Sequence, residues 1–115
     1  MCTDVDPFRP TLDCIQQFVF TPTCAFQGCH LNPGAQQGME LGEGLTYTNI
    51  VGVPSAEVPL LNRVEPGDPD NSYLVHKLEG TAGIVGEQMP QGGPFLTPAE
   101  IGVIREWILN GAQDD

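Results

Sequence analysis

Basic residues are scarce in this sequence. Four Lys and Arg stand against 15 Asp and Glu, for a net charge of −11. A surface of that sign repels nucleic acid and anionic membrane and favours a partner with a basic face. The acids are scattered rather than blocked, which argues against a disordered acidic tail. Aromatics are sparse, at 7% with a single Trp, so few large side chains are on hand to fill a core. No apolar run reaches the length of a membrane span. Nor does any basic start lead into an apolar stretch, so no signal peptide is visible and the chain reads as a mature form. What the chain has in abundance is Gly and Pro, 14 and 11 in 115 residues. They imply many turns and few long elements. The length fits one domain, residues 1–115, small enough to gain from a disulfide, a metal or a cofactor.

Residues 1–10 form an irregular lead-in. Residues 11–20, TLDCIQQFVF, carry Leu12, Ile15, Phe18 and Val19 at helical spacing, and TPT is expected to break the chain before Cys24. Residues 31–69 show no sustained period, and LTYTNIVGV suits a short strand or a short helix equally. Asp70 is placed to cap a short helix that Gly80 can end. Residues 80–96 are a Gly-rich loop containing Met89. The last helix is the clearest: Thr97 at the cap, Pro98 at the first helical position, Glu100 closing a capping box. Ile101, Ile104, Trp107 and Ile108 then form an apolar stripe with Val103 beside it, and Asn110-Gly111 provides a stop. The expected class is all-α, a few short helices joined by long loops. Such loops are uncommon in a compact domain unless something organises them.

The stretch CAFQGCH, Cys24 to His30, carries the chemistry. Two thiols and an imidazole at this spacing admit a disulfide with a bystander histidine, a metal site, or a covalent haem. A disulfide leaves His30 and the loops unexplained. Structural zinc wants two short-spaced ligand pairs. Cys2 and Cys14 match Cys24 and Cys29 poorly, and the adjacent Cys29 and His30 converge badly on one ion. Haem attachment uses C-x-x-C-H. Its essential adjacency is intact in Cys29-His30, with the gap between the thiols longer by two residues. A second axial ligand to iron can be a thioether or an imidazole. Met89 lies in a Gly/Pro-rich loop suited to a ligand strap, whereas Met39 and Met1 sit near the motif and at the terminus. His76, the rival, falls opposite Leu74 on its helix and is expected to face solvent.

The chain resembles the class I, mono-haem cytochromes c of bacterial type. CAFQGCH resembles the attachment site, VEPGDPDNSYLVHKL a segment of bacterial relatives, and MPQGGPFLTPAEIGVIREWILNGA the axial-methionine loop and terminal helix. These blocks cover about half the chain in the expected order. The resemblance implies a small cytochrome c-like fold, with the N- and C-terminal helices packed together and long ordered loops around the haem. It implies one haem c, bonded through Cys24 and Cys29, with His30 as proximal iron ligand and Met89 as distal ligand. The implied function is one-electron Fe(III)/Fe(II) transfer between redox partner proteins, not catalysis. The alternatives are a haem subunit of a peroxidase or gas-sensing system with an open distal site, and a cofactor-free disulfide-stapled module. Periplasmic or extracellular placement follows from the resemblance and the cysteine usage together. Cys2 and Cys14 remain, and a disulfide between them is expected; a lipid on Cys2 or an intermolecular bridge are the other readings. Trp107 is expected in the core, and Lys77 and Arg105 as solvated helix charges. Tyr47, Tyr73 and Arg63 are candidates to meet the haem propionates.

Overall fold

The computed structural model describes residues 9–25, 30, 39–81, 83–90 and 94–115. Most of the lead-in, Cys2, Cys29 and the interior of CAFQGCH lie outside the described residues. The described part is helical and holds no strand, only isolated bridges at Val51–Val64, Pro54–Asn62 and Asn62–Ser72. The all-α expectation is met at that level.

Helix α1 spans Leu12–Ile15 and continues as a π-helix over Gln16–Cys24. Thr11 caps it by accepting from the Cys14 amide at 3.3 Å. The expected break at TPT does not occur: Pro22 sits inside the π-helix, and Ala25 N bonds Phe20 O, five residues back. A proline ring collides with the carbonyl four residues before it in an α-helix, and the wider winding relieves that conflict. The winding also rotates the buried face. Ile15, Val19 and Phe20 are buried, whereas Phe18, expected in the apolar stripe, is only partly so.

The ambiguous stretch resolves as helix α2, Thr46–Ile50, followed by the bridge at Val51. Helix α3 spans Tyr73–Glu79. Asp70 does not cap it. Pro69 starts a 3-10 turn over Pro69–Asn71, and Ser72 takes the N-cap position in extended backbone. The Ser72 hydroxyl accepts from Glu65 N and donates to Asp68 O instead of capping. Gly80 ends α3 as expected, at φ +70, a conformation that costs glycine little. Helix α4, Pro98–Leu109, has the full capping box between Thr97 and Glu100. Its stripe is correct: Ile104, Trp107 and Ile108 are buried, with Ile101 and Val103 partly buried against them. The Trp107 indole donates to Gln113 O at 2.8 Å.

The first and last helices of the described residues meet. Helix α1 packs on α4, and the Leu12 amide at the start of α1 donates to the Asp115 carboxylate at 2.8 Å. Helices α3 and α4 are tied by Arg105, which donates to Glu79 at 2.8 and 3.1 Å and to Asp70 at 2.8 Å. Those bonds, Glu79 first, hold the guanidinium's pKa above its ordinary value. The expectation of a merely solvated Arg105 is corrected accordingly. Replacing Thr97 by Ala removes the acceptor for the Glu100 amide and should cost about 1 kcal/mol of stability. Chemical denaturation of the two proteins checks this, and equal midpoints would contradict it.

Candidate functional site

The motif's described ends are brought together by the main chain. His30 N donates to Cys24 O at 3.2 Å, closing the loop that separates them, and Leu41 N donates to His30 O at 2.8 Å. The His30 ring is oriented in turn: Nδ1 donates to Met39 O at 2.9 Å. A carbonyl only accepts, so Nδ1 carries the proton, and in the neutral ring Nε2 carries the lone pair. A ring N–H held by a backbone carbonyl is the arrangement usually found behind a metal-bound histidine.

Cys24, His30 and Met89 line one cavity of about 240 Å³. Its apolar wall includes Leu41, Leu74 and Leu78, and its polar wall includes Glu57, Arg63, Tyr73, Lys77 and Glu87. Met39, dismissed on sequence grounds for its nearness to the motif, lines the same cavity. His76 does not: its Nε2 lies 2.6 Å from Asp70 O on the outer side of α3. Tyr47 lines a separate cleft with Asp13, Gln16 and Asp115. Cys29, the second expected attachment point, lies outside the described residues. Cys14 is disulfide-bonded; Cys2, its expected partner, lies outside them as well. Among the described residues, no group of three or more His, Cys, Asp or Glu gathers as a metal cage would.

The residues present fit an iron porphyrin in donor chemistry. An imidazole nitrogen and a thioether sulfur are suitable axial ligands, a cysteine stands at the wall for a thioether bond, and leucines supply apolar contact. The volume is below the roughly 300–1,000 Å³ of small-molecule clefts, so a macrocycle would have to part these walls. On the side of the segment after α3 the cavity is lined by Gly86, Glu87 and Met89, and the Met89-Pro90 bond is cis.

Arg63 is held in the wall by its own main chain, which bonds Val53 O, and by Nη1 donating to Asn49 O at 2.8 Å. Burial lowers its pKa from the ordinary value. Tyr73 donates to Glu57 at 3.1 Å and accepts from Val85 N at 2.8 Å. The expectation of a solvated Lys77 is wrong. Lys77 is only 7% exposed, because the Glu57 carboxylate and the Val85 carbonyl close over its ammonium. Gln16 also escaped notice in the sequence. Buried, it donates to Leu41 O at 2.8 Å and bonds the Thr46 hydroxyl, anchoring the chain just after Met39 to α1 and α2. No local pattern marks such a residue.

No protein family, curated protein or solved structure matches the chain.

Burial, followed by the bond and charge of Glu57, raises the Tyr73 pKa above its ordinary value near 10, against the Val85 amide, which lowers it. The native state then holds the phenol proton more tightly than the unfolded chain. Its contribution to stability is complete below pH about 10 and is lost as pH climbs through the higher native pKa. The phenolate absorbance of the wild type minus that of Tyr73→Phe should titrate above pH 10; titration at or below it would show an unburied hydroxyl.

Proposed function

We propose that the chain is a mono-haem c electron carrier, working in the periplasm or outside the cell. The observation that supports this most is that Cys24 and His30, from one short stretch, share a single cavity with Met89, from a loop far along the sequence. A bound haem would supply a one-electron Fe(III)/Fe(II) couple. The chain's own residues do the rest. His30, its tautomer set by Met39 O, offers Nε2 as a ligand. Met89 would offer a thioether as the second ligand, and a thioether paired with an imidazole favours the reduced state. Leu41, Leu74 and Leu78 keep water from the cavity floor. Cys24 and Cys29 would anchor the group, and Arg63 presents donors suited to carboxylates, whereas the Tyr73 hydroxyl proton is already committed to Glu57. If His30 and Met89 both held the iron, no position would be left for substrate, which favours a carrier over an enzyme.

The partners would be redox proteins with a basic docking face. Of four cationic side chains, Arg63, Lys77 and Arg105 are engaged in internal bonds, so little positive charge offsets the acidic surface. Among the described residues, no helix is long and apolar enough to cross a membrane.

Optical spectra test this reading on protein from a host with haem-attachment machinery. The reduced protein should show sharp α and β bands, and the oxidised protein a weak near-infrared methionine–iron band. His30→Ala should abolish stable holoprotein. Met89→Ala should keep the haem and erase the near-infrared band, whereas Met39→Ala should keep both. Loss of the band in Met39→Ala alone would move the ligand to Met39. Ready carbon monoxide binding by the reduced wild type would replace the carrier with an open-site haem protein, and a colourless preparation would remove haem altogether.

A further inference from the structure

Lys77 is the chain's single lysine, and it is buried in a protein whose surface is overwhelmingly acidic. Lysine leaves water only where its ammonium finds partners. Here Nζ donates to Val85 O at 2.6 Å and lies 3.5 Å from Glu57 Oε1. One turn earlier on the same face of α3, the Tyr73 hydroxyl accepts from Val85 N at 2.8 Å and donates to the same Glu57 oxygen at 3.1 Å. Both main-chain polar groups of Val85 are thus taken by α3 side chains. Val85 is 49% exposed, so at this residue the segment is gripped by its backbone more than by packing. Further along, Gln88 Nε2 donates to Leu78 O and Met89 N donates to Lys77 O, each at 2.9 Å. Lys77, Tyr73, Glu57 and Met89 all line the cavity.

We propose that Lys77, Tyr73 and Glu57 form a latch that positions the Met89 segment against the cavity, with the two α3 side chains holding the Val85 backbone and Glu57 holding both. Its consequence for an iron ligand rests on the role proposed above for Met89; the latch itself does not. The three are positioning residues. A charge-assisted bond is stronger than a neutral one, so Lys77 is the main catch and Tyr73 the second. Without them, the segment is retained by the bonds at Gln88 and Met89 and by the packing of Met89 against the core, while the stretch before Gln88 is left exposed, and regions of that kind open locally.

Amide hydrogen exchange on the full chain tests this. The Met89 amide is the reporter, because its acceptor is the Lys77 main-chain oxygen, which no side-chain substitution removes. Lys77→Met keeps the apolar stem without the charge, and Tyr73→Phe removes only a hydroxyl. Each should speed Met89 exchange about tenfold, while the Trp107 and Ile108 amides of α4 stay within about twofold of wild type. Glu57→Gln, which keeps an acceptor, should have a smaller effect. In haem-loaded protein, the same variants should weaken the near-infrared methionine–iron band. Met89 exchange unchanged in both variants would overturn the latch, as would an equal rise in α4, which would mean general destabilisation. If Met89 exchange responds but wild-type holoprotein shows no near-infrared band, the latch stands and the ligand assignment falls. Tyr73→Phe keeps the test decisive should Lys77→Met fail to fold.

Discussion

Helix α3 is buried on nearly every side, and the rest of the molecule is arranged around that constraint. Tyr73, Leu74, Val75, Lys77 and Leu78 are all buried within a helix of seven residues. A helix this short is not stable on its own, so it exists because its neighbours complete it. Asn62 O and Arg63 O accept from its first amides, α4 backs it through Arg105, and the Val85–Met89 segment closes it on the cavity side. In return, α3 forms a wall of the cavity and fixes the height at which Met89 stands.

Polar groups, more than apolar packing, specify the register of the loops. Gln16 joins α1 to Leu41 and Thr46, His30 joins Met39, Arg63 joins Asn49, and the Tyr73–Glu57–Lys77 cluster joins the segment after α3. Each burial would be costly if unpaired, and among the described residues no buried side-chain nitrogen or oxygen lacks a partner. A chain with few aromatics and many glycines can hold long loops this way, though such networks orient loops more than they drive collapse. The cavity that remains has a leucine wall, a polar wall, and on its lining the residues the sequence singled out as ligands, Cys24, His30 and Met89.

What was legible in the sequence is what is decided locally. Helix α4 was readable because Thr97, Pro98, Glu100 and Gly111 act within one turn of themselves. The end of α3 at Gly80 was readable for the same reason. The start of α3 was not, because the Ser72 hydroxyl is claimed by Glu65 and Asp68 and Asp70 is drawn to Arg105, thirty-five residues away. The π winding after Ile15 hid behind an apolar pattern that suits an α-helix equally well. At the site, Cys24, His30 and Met89 were singled out from motif and resemblance, and they share one cavity. Lys77 was misjudged, and the place of Met39 in the same cavity was not foreseen, because both depend on partners elsewhere in the chain: Glu57 and Val85 in one case, the His30 ring in the other.

The proposed function depends on a porphyrin bonded through sulfur to the stretch around His30, because that bond would give His30 and Met89 a common purpose. Mass spectrometry of the intact protein, purified from a host able to attach haem and followed by peptide mapping, tests it most directly. The predicted result is one haem added to the chain, with thioether links at Cys24 and Cys29. A chain at its bare mass, with those cysteines bridged to each other or holding zinc, would contradict it.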